Sequence, residues 1–171
     1  MREIKYLIVI LIFMLILDSC KKIERLPAVP HIEFTSFTIF DTTDILGNKS
    51  IGGRLRFHFE DGDGDMGLNA PEGIETDSTN LFFTLFRKKG GIISPAPDND
   101  PLKPSAYRIP YMERLGQNKI LKGTISVTFL YLFYNPTDTI RYDFYIKDRA
   151  LNMSNIASTS EIVLSVNKTN K

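Results

Sequence analysis

Residues 61–67 read Asp-Gly-Asp-Gly-Asp-Met-Gly, the one stretch of this chain whose residue types and spacing point to chemistry. Carboxylates at every second position, separated by glycines that let the backbone curl, can converge on one hard cation. Calcium takes about six to eight oxygens at about 2.3–2.6 Å. The spacing continues as in an EF-hand loop, with Asp61, Asp63 and Asp65 at positions one, three and five, the Gly67 carbonyl at seven, Asn69 at nine and Glu72 at twelve. It also departs from one. Met66 stands where the sharp turn wants glycine, Pro71 precedes the glutamate, and a strand rather than a helix leads in. The segment reads either as a free-standing calcium loop on a β scaffold or as a polar Asp-Gly turn alone. Three carboxylates this close repel one another unless a cation sits among them, although solvent screens that repulsion. Millimolar calcium outside a cell fills even a weak extracellular-type site, with Kd of about 10⁻⁴–10⁻³ M.

A second polar cluster, Asp148-Arg149-Ala150-Leu151-Asn152-Met153-Ser154-Asn155, follows a strand directly. Asp148 and Asn152 either complete the cation's shell or cap their own backbone through Asx turns, and capping is the more economical reading. Little else on the chain offers chemistry. The two histidines, His31 and His58, have no partner spaced for a metal or a catalytic triad. Glu60, Glu113 and Glu161 form no pair that spacing alone can recognise. A non-enzymatic protein with no catalytic residues is expected.

The elements that must hold these loops have period two. Ile32 and Phe34, then Phe37 and Ile39, alternate with polar partners on either side of a slip at Ser36. Leu55, Phe57 and Phe59 alternate likewise, as do Ile125, Val127 and Phe129, then Ile140, Tyr142, Phe144 and Ile146, and finally Ile162, Leu164 and Val166. Each run is a half-buried strand. The denser run Leu81 to Phe86 reads as a central strand, and Tyr107 to Tyr111 as a short one that Pro110 confines to an edge. Lys89 to Pro104, with four prolines, reads as a long surface loop. About seven strands between Gly, Pro, Asn and Asp clusters predict an all-β protein, a single antiparallel immunoglobulin-like β-sandwich, with a barrel or jelly roll as rivals. Connections that alternate ends bring the loops 61–80 and 148–154 together with the start of the first strand.

The chain opens with a basic start at Arg2 and Lys5, twelve uncharged residues from Tyr6 to Leu17, and Leu17-Asp18-Ser19-Cys20, which ends on its only cysteine. That is the pattern of a secretory leader closed by a lipid-attachment cysteine. Asp18 is unusual there, so a plain secretion signal or an uncleaved anchor are the other readings. The apolar run is shorter than the ~20 residues a bilayer core needs. Lipidation of Cys20 would leave no thiol for a disulfide or a thiolate nucleophile. The division expected is 1–19 signal peptide, 20–30 lipidated tether, 31–167 sandwich and 168–171 polar tail. The formal net charge of +1 survives removal of the leader, which takes two side chains of each sign, and gives no electrostatic case for nucleic acid.

Two segments resemble known proteins. Lys147-Asp148-Arg149-Ala150-Leu151-Asn152-Met153-Ser154-Asn155 is similar to the D-x-A-G-N-x-S turn before the last strand of many bacterial immunoglobulin-like and cadherin-like domains, with Leu151 in place of the glycine. Together with Phe57-His58-Phe59-Glu60-Asp61-Gly62-Asp63-Gly64-Asp65-Met66-Gly67-Leu68 and the lipid cysteine, it makes the chain resemble Bacteroidota-type lipoproteins with an immunoglobulin-like β-sandwich domain. The resemblance implies a fold and a place in the cell envelope, and no activity. Lys21 rather than aspartate after the cysteine implies delivery to the outer membrane, with the periplasmic and surface faces both open.

The expectation is a lipid-anchored structural or protein-interaction domain, stiffened by Ca2+ and held to the membrane by its lipid. The alternative is a glycan-binding lipoprotein using the proline-rich loop and the aromatics Phe129, Tyr131, Phe133 and Tyr134. The absence of tryptophan weakens it.

Overall fold

The computed structural model describes residues 5, 6, 25–69, 79–113, 119–165 and 169–170. Cys20 and the leader around it, Pro71, Glu72 and Val166 lie outside those residues. Among the described residues nine strands form, in the order β1 (His31–Thr43), β2 (Lys49–Asp61), β3 (Leu81–Lys89), β4 (Ile92–Pro95), β5 (Leu121–Tyr131), β6 (Thr139–Ile146), β7 (Ala157–Ser158), β8 (Ile162–Val163) and β9 (Thr169–Asn170). They build two antiparallel sheets, one in the order β5-β2-β1-β9 and the other β4-β3-β6-β7, with β8 also on β6. The protein is all-β, with the two sheets stacked as a sandwich.

The inward faces are the rows that period two picks out. Phe37 and Ile39 from β1, Leu55, Phe57 and Phe59 from β2, Val127 and Phe129 from β5, and Ile140, Tyr142, Phe144 and Ile146 from β6 are all buried. Their rings interlock across the layers. Phe129 lies 5.8 Å from Phe37, 5.5 Å from Phe83, 5.6 Å from Tyr107 and 5.6 Å from Tyr142 between ring centroids. Such pairs contribute about 0.5–1.5 kcal/mol each beyond the area they bury. The slip at Ser36 is a β-bulge: Phe34 pairs with Phe57 and Ser36 with Arg56, so Thr35 is the extra residue. It lets apolar residues on both sides of the slip reach the core.

Three regions differ from expectation. The stretch Lys89 to Pro104 is not simply a surface loop. Gly90 and Gly91, at φ 56° and 84°, make a two-residue turn that folds Ile92–Pro95 back on β3, and Leu102 further along is buried. Both central residues at positive φ are what a tight hairpin requires. Tyr107 to Tyr111 forms no edge strand, only isolated bridges of Tyr107 with Leu81 and Pro110 with Leu68. Pro110 has no N–H, and the Ile109 N–H is taken by the Asn80 side chain at 2.7 Å, which leaves no ladder to extend. The last strand is interrupted rather than continuous. Between β7 and β8 the Thr159 hydroxyl accepts the Tyr142 N–H at 3.1 Å, a side chain standing where a backbone rung would be. Thr169–Asn170, within the expected polar tail, pair with β1.

Candidate metal centre

Alternation along β2 sets the centre's geometry. Leu55, Phe57 and Phe59 point inward, and the next residue of that parity is Asp61, which is 0 % exposed. The facing sheet repeats the arrangement, because Ile140, Tyr142, Phe144 and Ile146 of β6 are followed at the same parity by Asp148, 1 % exposed. Two apolar rows, one from each sheet, thus end in a buried aspartate at the same end of the sandwich.

Beyond Asp61 the chain turns over that end. Gly64 and Gly67 take positive φ, 66° and 85°, and Met66 between them is buried in the core. The turn therefore does not follow EF-hand geometry, in which the sharp bend falls at the position Met66 occupies. One carboxylate oxygen each from Asp61, Asp63 and Asp65 lies within 4.8 Å of the others. Asp61 Oδ2 accepts the Met66 N–H at 3.0 Å and Asp65 Oδ2 accepts the Ala150 N–H at 3.1 Å. Their Oδ1 atoms are buried, and no N–H among the described residues donates to either. Asp63 Oδ1 is equally sheltered from solvent.

Crowding of like charge shows in the acidities. Burial first, then the hydrogen bond and charge of Asp63 and the charge of Asp65, push the Asp61 carboxyl up to about 6. Asp65 is raised too, by burial, then by the charges of Asp148 and Asp63, against the Ala150 N–H and Arg149. Removing ionised carboxylates from water without a compensating cation is the costly arrangement that these shifts express.

The other expected ligands are placed differently. The Gly67 carbonyl accepts Arg149 Nη1 at 3.0 Å, and the same nitrogen reaches the Met66 carbonyl at 3.3 Å. Asn69 is exposed, and its carbonyl accepts from Arg108. Asp148 is held by Asn152, whose backbone N–H donates to Oδ1 at 2.7 Å and whose side-chain amide donates to Oδ2 at 2.8 Å. That is the Asx-type cap anticipated for this pair. Leu151 within the cap has φ 67°, the only non-glycine residue at positive φ among the described residues, at the position where the resembling turn carries glycine.

Sequence reasoning missed three contributors. Arg149 ties the two loops together: besides its guanidinium contacts, its N–H donates to the Asp65 carbonyl at 3.4 Å and its guanidinium lies 4.9 Å from the Tyr111 ring centre. Leu26 and Pro27 of the tether pack on Gly62, whose N–H donates to the Pro27 carbonyl at 3.0 Å. Leu26, Pro27 and the described parts of the two loops thus share one end of the sandwich. The parity of Asp61 with Phe59 was the available signal for its burial. At the far end only part of the expected aromatic patch is displayed, since Phe129 and Tyr131 belong to the core while Phe133 and Tyr134 are exposed. No helix among the described residues is long and apolar enough to cross a membrane.

Comparison with protein-family models, with curated proteins and with solved structures finds no match for this chain.

Proposed function

We propose that this chain is a lipid-anchored cell-envelope module, an immunoglobulin-like sandwich whose acidic loop holds calcium, acting as a structural or protein-interaction domain. The strand order supports the immunoglobulin-like reading. Lettered along the chain, β1, β2 and β5 take the places of strands A, B and E, and β4, β3, β6 and the interrupted β7/β8 those of C′, C, F and G. The anchor rests on the leader and Cys20.

One observation carries the calcium reading. Three carboxylate oxygens converge within 4.8 Å, and the Oδ1 atoms of Asp61 and Asp65 are buried and accept no N–H among the described residues. A hard divalent cation satisfies such oxygens and cancels their repulsion in one step. The test is a thermal melt in excess chelator against millimolar calcium. Calcium raises the midpoint, magnesium does so less because it demands a tighter octahedron, and Asp63→Ala removes the response. An unchanged melting curve reduces the loop to a turn.

A further inference from the structure

The loop that carries the three aspartates also holds the chain that leads into the domain. Gly62 lies between Asp61 and Asp63, and its N–H donates to the Pro27 carbonyl at 3.0 Å. A Cβ at position 62 would stand 2.3 Å from the Leu26 carbonyl oxygen and 2.4 Å from that of Pro27. The contact is backbone against backbone on both sides, and only glycine permits it. Downstream, the incoming segment is secured by different residues. The Asn155 side chain accepts the Ile32 N–H at 2.8 Å and donates to the Ile32 carbonyl at 2.9 Å. Residues 25–29 thus lie between the strand start, where His31 pairs with Glu60 and Asn155 holds Ile32, and a backbone latch at Gly62.

We propose that a cation bound by Asp61, Asp63 and Asp65 closes this latch, so that cation occupancy decides whether residues 25–29 are fastened to the domain or released from it. The inference rests on the calcium reading of the same loop. Its physical basis is that the two ligands flanking Gly62 move its peptide groups with them. Drawing Asp61 and Asp63 onto one ion fixes the Gly62 N–H toward Pro27. With the ion gone, mutual repulsion of the carboxylates loosens the strand end that presents this donor. A cation that binds only the closed form lowers the opened population by the factor 1 + [L]/Kd, about elevenfold at ten times Kd. By linkage the closed latch strengthens cation binding by the same coupling. Opening would release five residues able to reach at most about 16 Å, at about 3.3 Å each.

The test uses the full-length chain with calcium chloride at ten times the Kd found by calorimetry, against EGTA. Two rates are read: amide hydrogen exchange at Gly62, and tryptic cleavage after the exposed Arg25, referenced to an unstructured peptide. Both should slow about tenfold in calcium. Gly62→Ala should keep a calcium-binding heat and lose the protection at Arg25. If that variant does not fold, the two wild-type rates decide alone. Calcium binding in the wild type with both rates unchanged overturns the latch and leaves the calcium reading standing. No heat of binding in the wild type overturns both.

Discussion

The two ends of the sandwich handle buried carboxylates in opposite ways. At the far end Arg87 donates to Asp100 from Nε at 2.5 Å and from Nη2 at 2.8 Å, and to Asp138 from Nη1 at 2.8 Å. Its bidentate hydrogen bonds hold the Asp100 carboxyl below its ordinary range. At the tether end Arg149 is also close, but its guanidinium is spent on the Met66 and Gly67 carbonyls, while burial and like charge push Asp61 and Asp65 up. One end is neutralised by the chain itself. The other gathers acidic oxygens whose carboxyls burial and like charge push up, and under the proposed calcium reading a cation from solution balances them.

The contrast is broken most forcefully at the self-sufficient end. Arg87→Ala leaves Asp100, whose side chain is 5 % exposed, without its partner, and stability should fall by about 3 kcal/mol in chemical denaturation. Calcium should not alter that loss. At the tether end, calcium at ten times Kd should add about 1.4 kcal/mol, worth roughly 4 °C in the melting midpoint for a chain this size. Asp63→Ala should erase the gain while the sandwich still melts cooperatively.

Acidity sharpens the same comparison, because the two ends titrate with opposite sign. Asp61 binds its proton more tightly folded, at about 6, than unfolded, at about 3.9. Its contribution is therefore present at low pH and lost as pH rises between about 4 and 6. Melts in chelator should show this decline, and calcium should offset it increasingly across the same window by taking the proton's place. Asp100 behaves the other way: its contribution is present above the usual carboxylate pKa and disappears as pH falls below it. Asp100→Asn should remove the second trend and leave the first.

The smallest effect expected is at Leu151. Its left-handed backbone costs an L-residue about 1–2 kcal/mol, and the side chain is 69 % exposed with little packing to lose. Leu151→Gly should raise stability by about 1 kcal/mol, net of the extra freedom glycine gives the unfolded chain. An unchanged or lowered midpoint would show that this turn is set by its surroundings rather than by the residue.

Much of the architecture was legible because alternation is a local signal with a global meaning. The rows from Leu55 to Phe59 and from Ile140 to Ile146 are the core, and the slip at Ser36 is a true bulge. The acidic loop and the Asp148 turn were legible as residue types. Their conjunction depended on which sheets stack and was readable only through connection parity. Side chains that replace backbone rungs left no such trace. Thr159 beneath Tyr142 and Asn80 beneath Ile109 interrupt ladders that period two alone would continue. β4 was overlooked because prolines dominate its neighbourhood, although Gly90-Gly91 marks a hairpin. Arg149 was unreadable for a different reason: a lone arginine beside three aspartates suggests an ion pair, whereas it binds carbonyls.

The hydrogen bond from Ala150 to Asp65 joins residues 85 apart in the chain. In time rather than space, the wall this bond adds to the acidic loop exists only after distant parts of the polypeptide have met, and closing so long a loop carries an entropic cost. An interaction completed after the rate-limiting barrier leaves the speed of folding alone and slows escape from the folded form. If calcium completes that wall only after the barrier, it acts as a brake on unfolding, lengthening the lifetime of the domain more than it hastens its assembly.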